Sequence, residues 1–276
     1  MGFIAPSLGQ RQSTPPYTGL GLDFHLGLMG LELGPGDNVS VAVETNGKGF
    51  IGFLAELPGA FVRGRDEAEI LSKVDWEVKT YFDWLGIPHF SLGRTRIIER
   101  HSCQLMVEDA DGEILLTADR SSMNQEEFRR LAAITRYSGK TFVSLYDSSQ
   151  LRDWVDSSRV RKTFYGETPK TIREVFNHVA GTQHYYLSRV GLDVKQGGSF
   201  LDIRELGLER IWNLFQDKGN SLAYRVDGES WTVKKVLRRF IWHDRIHGKA
   251  ITRILAKQKR LGLIESYEDS FRFGLR

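Results

Sequence analysis

Two histidines four residues apart, His243 and His247, lie in the stretch KKVLRRFIWHDRIHGKAITRIL between Lys234 and Leu255. The stretch has helical periodicity and contains no proline. On a helix, residues i and i+4 are one turn apart along the axis and about 40° apart around it. Both imidazoles therefore point the same way, the usual means by which one helix offers two nitrogen ligands to a transition metal. A third candidate, His178, stands in EVFNHVAGTQHYYL. Val175, Val179 and Tyr186 lie on nearby faces, so His178 is expected to face inward or toward the mouth of a helix pack. An imidazole from a neighbouring helix would complete a three-histidine set, and such a set leaves metal positions open for water or substrate. His184 falls roughly 120° around from His178, which takes it out of the same site.

The HDRIH spacing invites comparison with the zincin H-E-x-x-H motif, in which the glutamate is the general base. Here Asp244, one methylene shorter, replaces it. Arg253 occupies the position of a metzincin third ligand, and Glu265 and Glu268 sit in a tail with weak helical signal. A zincin protease is therefore disfavoured. Asp244 is expected instead to orient a neighbouring imidazole from behind.

Composition bounds the setting for this chemistry. The chain has 276 residues, 41% hydrophobic and 26% charged, a folded soluble profile with room for two domains. The net charge of +3 is too mild to argue for nucleic acid. The single cysteine, Cys103, excludes a disulfide framework and argues against a thiolate zinc site, which fits a reducing cytoplasm. Cys103 reads as a buried structural residue. No apolar run approaches the roughly 20 residues that span a bilayer, and there is no secretory signal pattern.

The elements that must position the histidines follow from periodicity. Residues 1–36 are rich in Gly, Pro, Ser and Thr and read as a disordered leader, with Met29 as an alternative start and His25 within it. VSVAVET alternates like a half-buried strand, NGKG is a hairpin turn, GFIGFLAEL returns, and AFVRG is a short third strand. Asp66 caps a helix whose stripe is Ile70, Val74, Val78, Tyr81 and Phe82, stopped at Gly86. RIIERHSCQLMVEDADGEILLTAD reads as a second hairpin around DADGE. This half, residues 37–122, is an α+β module.

Residues 123–276 change to helices: one from NQEEF, one with Thr168 as N-cap and Pro169 at its first position, one over LDIRELGLERIWNLFQDKG broken near Gly207, and the long one bearing HDRIH. Four amphipathic helices with a long linker near 191–201 make a four-helix bundle the expected architecture. Lys234, Lys235, Arg238 and Arg239 read as one solvated helix face, without the aromatic platform that nucleic-acid binding would need. Trp231, Trp242, Tyr185 and Tyr186 read chiefly as core.

TFYGETPKTIREVFNHVAGTQHYYLSRVG followed by ESWTVKKVLRRFIWHDRIHGKAITRIL resembles the DinB-like, or YfiT-like, metal-binding four-helix superfamily over roughly residues 124–260. The resemblance implies a divalent ion, commonly zinc or nickel, on His178, His243 and His247, with an open coordination position. It also implies chemistry such as metal-dependent thiol transfer, with a low-molecular-weight thiol as partner. GFIGFLAELPGAFVRGRDEAEILSKVDWEVKTYFDWLG looks like the HicB-like antitoxin fold over about residues 38–86. The usual DNA-binding appendage is missing, and Arg65-Asp66 departs from its strand-to-helix signature. Two functions follow. One is a metal-dependent transferase-like enzyme. The other is a non-catalytic interaction or sensor protein with a structural metal and a partner-binding module. A homodimer is compatible with either.

Overall fold

The computed structural model describes residues 33–275, apart from 108–113, 161, 164–165, 195–196 and 221. Residues 1–32 of the leader, with His25 and Met29, lie outside the described residues, as does the DADGE turn; residues 33–36 are ordered instead, with Leu33 buried in the core. The fold is mixed α+β. Among the described residues it comprises one four-stranded sheet, two short two-stranded ribbons and six helices. No helix is long and apolar enough to cross a membrane.

The sheet is built from β1 (Val39–Thr45), β2 (Phe50–Leu54), β3 (Phe61–Gly64) and β4 (Thr95–Ser102) in the order β3-β2-β1-β4. The first three pair antiparallel, and β4 joins β1 in parallel. A parallel partner needs a crossover, and α1 (Glu67–Leu85) supplies it. The Asp66 side chain accepts the Glu69 N–H at its start, and Gly86 closes it in the left-handed region. Ile70, Val74, Val78, Tyr81 and Phe82 are all buried, as the stripe requires.

Two expectations fail in this half. β1 is buried on both faces rather than one. Val41 and Val43 pack with α1, while Ala42 shares a cluster with Ile51, Phe53, Phe61 and Trp242 of the last helix. Among the described residues the second hairpin has no returning strand either. β4 pairs with β1, and Ile114, Leu115 and Leu116 bury their side chains without joining a sheet, just before the short helix α2 (Thr117–Arg120). Cys103 is buried immediately past β4.

The remaining helices are α3 (Gln125–Asp147), α4 (Ile172–Ser188), α5 (Phe200–Lys218) and α6 (Val233–Arg260). The ribbons are β5 (Lys162–Thr163) with β6 (Gly166–Glu167), and β7 (Tyr224–Val226) with β8 (Glu229–Trp231), which leads into α6. α3 and α4 both run against α6, and α5 packs on α3 and α4. α4 starts later than Thr168 and Pro169 predict. Its N-cap is Thr171, in a reciprocal box with Glu174 that satisfies two backbone N–H groups at once. α5 is unbroken at Gly207. A Cβ there would lie 3.0 Å from Leu187 Cδ1, so this glycine serves a close helix approach.

The core is continuous between the two halves, joining Val41, Ile70 and Tyr81 to Phe142, Ile251 and Phe271 in one cluster. The turn after β2 rests directly on α6. Gly59 has φ 81°, and a Cβ on it would meet the Trp242 backbone nitrogen at 2.7 Å. Past α6 the tail returns over the helix, with Phe271 against Gly248 and stacked with Phe273.

The predicted solvated basic face of α6 is buried. Lys235 donates to Glu229 and to the Ser230 carbonyl, and Arg238 forks onto Asp119 of α2. Arg239 lies 4.4 Å from the Trp242 ring, while Lys234, half-buried, pairs with Glu127. Helical spacing alone reads i, i+1, i+4, i+5 cations as one outer face. The long aliphatic stems lie in the protein instead, and their charges are met by Asp119 and Glu127 from far along the chain and by Glu229 and Trp242 from close by.

Candidate metal centre

Four consecutive residues of α6 point four ways, because each step turns the side chain by about 100°. Trp242 meets the sheet, with ring centroids 6.1 Å from Phe53 and 6.4 Å from Phe61. His243 faces α4. Asp244 faces α5 and α3, and Arg245 faces α1.

The structure brings His178, His243 and His247 together. One ring nitrogen from each lies within 4.8 Å of the other two. The ring centroids are 5.2 Å apart for His178 and His243, 4.7 Å for His178 and His247, and 4.3 Å for His243 and His247. His243 is buried, whereas His178 and His247 are half-buried, so the cluster is closed on the protein side and reaches solvent on the other. Gly181, one turn after His178, is exposed, and a Cβ there would meet nothing within 4 Å.

Electrostatics favours the donor form. Burial, aided by the neighbouring His247 and His178, holds the His243 imidazole well below its ordinary 6.5. Burial alone lowers His178. The neutral ring is the protonation state in which an imidazole binds an ion. The Tyr186 ring stands edge-on to His243 at 5.4 Å, and burial pushes its phenol up to about 12, so it stays protonated.

Asp244 is placed differently from the expectation. Its Oδ2 accepts from Ser138 Oγ at 2.6 Å and from Arg204 Nη1 at 2.8 Å, and its Oδ1 accepts from Arg204 Nη2 at 3.0 Å. Arg204 also donates to Gln183 Oε1 and to the Thr135 carbonyl. The carboxylate therefore fixes α6 against α5 and α3. His184 lies apart, bonded through Nδ1 to the Val194 carbonyl. Trp231, Trp242 and Tyr186 are buried, and Tyr185 is exposed.

Sequence reading missed Arg204, Gln183 and Ser138. One signal was present: Asp244 fills a slot in the apolar stripe of Leu237, Ile241, Gly248 and Ile251, where a carboxylate must find a cationic partner. No family model, curated protein or solved structure matches the chain.

Proposed function

We propose that the chain is a DinB-like protein in which α3, α4, α5 and α6 form a metal-binding four-helix bundle. His178, His243 and His247 hold a divalent ion, zinc or nickel, and the protein transfers a low-molecular-weight thiol to an electrophile. The observation that carries this reading is the approach of three imidazole nitrogens within 4.8 Å of one another. Nitrogens sharing an ion at about 2.0–2.1 Å in a tetrahedron stand roughly 3.3–3.5 Å apart, so a contraction of around 1.5 Å suffices.

A bound ion would supply a lowered thiol pKa, and so a nucleophile near neutral pH. The chain's own groups do the rest. His243 donates from the closed side, and His178 and His247 from the rim where a thiol could enter. The Arg204–Asp244 pair holds α6 in register with α5, and Tyr186 packs the edge of the His243 ring. The N-terminal part, read as a HicB-like module from its strand, strand, strand, helix order, buttresses α6 through Trp242.

Elemental analysis of tag-free protein tests the reading first. About one equivalent of zinc or nickel is expected, lost in His243→Ala because two imidazoles hold an ion far less firmly than three. Cobalt-substituted protein should show an exchangeable position whose spectrum changes with added thiol, and the loaded protein should speed thiol addition to a maleimide or epoxide. A loaded but coordinatively saturated centre, silent toward thiols, would favour the structural-metal interaction protein. A metal-free full-length chain would sink both.

A further inference from the structure

A second site stands on a different face of α6 and does not depend on the metal reading. A cleft of about 530 Å³ opens between α6, α1 and the β3 edge of the sheet. Ile246, Lys249 and Arg253 form its α6 wall, sharing a face roughly 100° around the helix from the histidine pair. Trp76 and Lys73 come from α1, Phe61 and Arg63 from β3, and Lys48 from the β1–β2 turn.

Its charge is one-sided. Six cations line it, the sixth being Arg65, against two carboxylates, Glu69 and Glu77. Both carboxylates are already engaged, Glu69 by Arg65 and Lys73, and Glu77 by Arg245 from the buried side. Lys48, Lys249 and Arg253 make no ion pair among the described residues. A whole-chain charge of only +3 does not force such a concentration. The walls are apolar between the charges. Lys249 Nζ lies 5.7 Å from the Phe61 ring centroid and 5.4 Å from that of Phe273, and Trp76 is half-exposed. Low-dielectric walls focus the field of the cations into the cleft.

We propose that this cleft binds a small organic phosphate with a flat apolar body, its phosphate on Lys249 and Arg253 and its body against Trp76 and Ile246. A dianion suits the surplus of positive charge, and a guanidinium matches phosphate geometry. The volume lies in the range of small-molecule sites, about 300–1,000 Å³.

Isothermal titration calorimetry of the full-length protein with phenyl phosphate, inorganic phosphate and benzyl alcohol is the test. Phenyl phosphate should bind once per chain, about tenfold or more tighter than either fragment, with affinity falling as salt rises. Lys249→Gln with Arg253→Gln should lose at least about tenfold in affinity, and the exposed Lys48→Glu, which leaves the core untouched, should weaken it several-fold. Metal stripping or His243→Ala should leave it unchanged, which separates this site from the metal centre. No saturable binding below about 10 mM would overturn the proposal. So would equal affinity in the parent and in both variants, or loss of binding on metal removal.

Discussion

Asp244 and Arg245 are neighbours on α6, yet they bury their charges in two different ways. Arg204 and Asp244 form a two-pronged pair in which each guanidinium nitrogen meets an acceptor and both carboxylate oxygens are used. Arg245 reaches Glu77 through one nitrogen at 2.7 Å, and Glu77 also accepts the Phe61 N–H. The Arg245 Nε and Nη1 have no hydrogen-bond acceptor among the described residues, and the guanidinium lies instead 4.8 Å from the Tyr81 ring and 4.9 Å from the Trp84 ring. The first pair ties helices together beside the histidines; the second joins α6 to the crossover helix of the sheet. Hydrogen-bond saturation specifies one geometry, whereas ring faces hold a cation with looser directional demands.

Removing half of the saturated pair should have the largest effect. Asp244→Ala leaves Arg204 charged and buried, and should cost about 3–5 kcal/mol in urea unfolding. Asp244→Asn keeps the shape and one acceptor, so about 1.5–3 kcal/mol is expected. A loss below about 1 kcal/mol for the alanine variant would mean that water reaches Arg204, and the contrast would collapse.

Replacing both partners sharpens the comparison. Glu77→Leu with Arg245→Met should stay within about 1 kcal/mol of the parent, because the methionine can remain among the rings and few polar groups are orphaned. Arg204→Met with Asp244→Leu should lie about 1–3 kcal/mol lower, since Gln183 Oε1 loses its donor, while Ser138 and the Thr135 carbonyl keep only their bond to each other. Equal outcomes in a double-mutant cycle would show that saturation is not what distinguishes the pairs.

A pH effect separates the histidines from both pairs. His243 and His178 are held below their ordinary 6.5, so between that value and the lowered one the metal-free folded chain binds fewer protons than the unfolded chain. Stability is therefore full above about 6.5 and falls as the pH drops through that window, by at most about 1.4 kcal/mol per pH unit for each histidine. Urea midpoints of chelator-treated protein from about pH 7.5 to 5.5 should show this slope. His243→Leu should flatten it; an unchanged slope would place the proton uptake elsewhere.

What could be read in advance was local. The α1 stripe and its Asp66 and Gly86 ends follow from spacing and capping chemistry, and His243 with His247 follows from a four-residue interval. His178 joined them only because HDRIH lies on a facing helix; a lone inward histidine is more often a hydrogen-bonded core residue. The two ion pairs were not readable in this way. Arg204 is 40 residues from Asp244, and Glu77 is 168 from Arg245, so no interval marks either partner. The basic face failed for the same reason: Asp119, which receives Arg238, comes from α2, 119 residues earlier. β4 was mistaken for half of a hairpin because an apolar stretch follows a turn-like sequence, while its parallel partner β1 is more than fifty residues upstream.

The divergent directions of Trp242, His243, Asp244 and Arg245 make α6 sensitive to length in a way that loops are not. One residue inserted between Arg239 and Trp242 would turn everything downstream by about 100°. The imidazole slot would receive the indole, the clamp at Arg204 an imidazole, and the cage of Tyr81 and Trp84 a carboxylate. A substitution damages one partnership; an insertion misassigns all of them together, like a key cut one notch out of step. Variation in chain length should therefore be tolerated in the connections, such as the β7–β8 turn, and should be lethal to folding within this one helix.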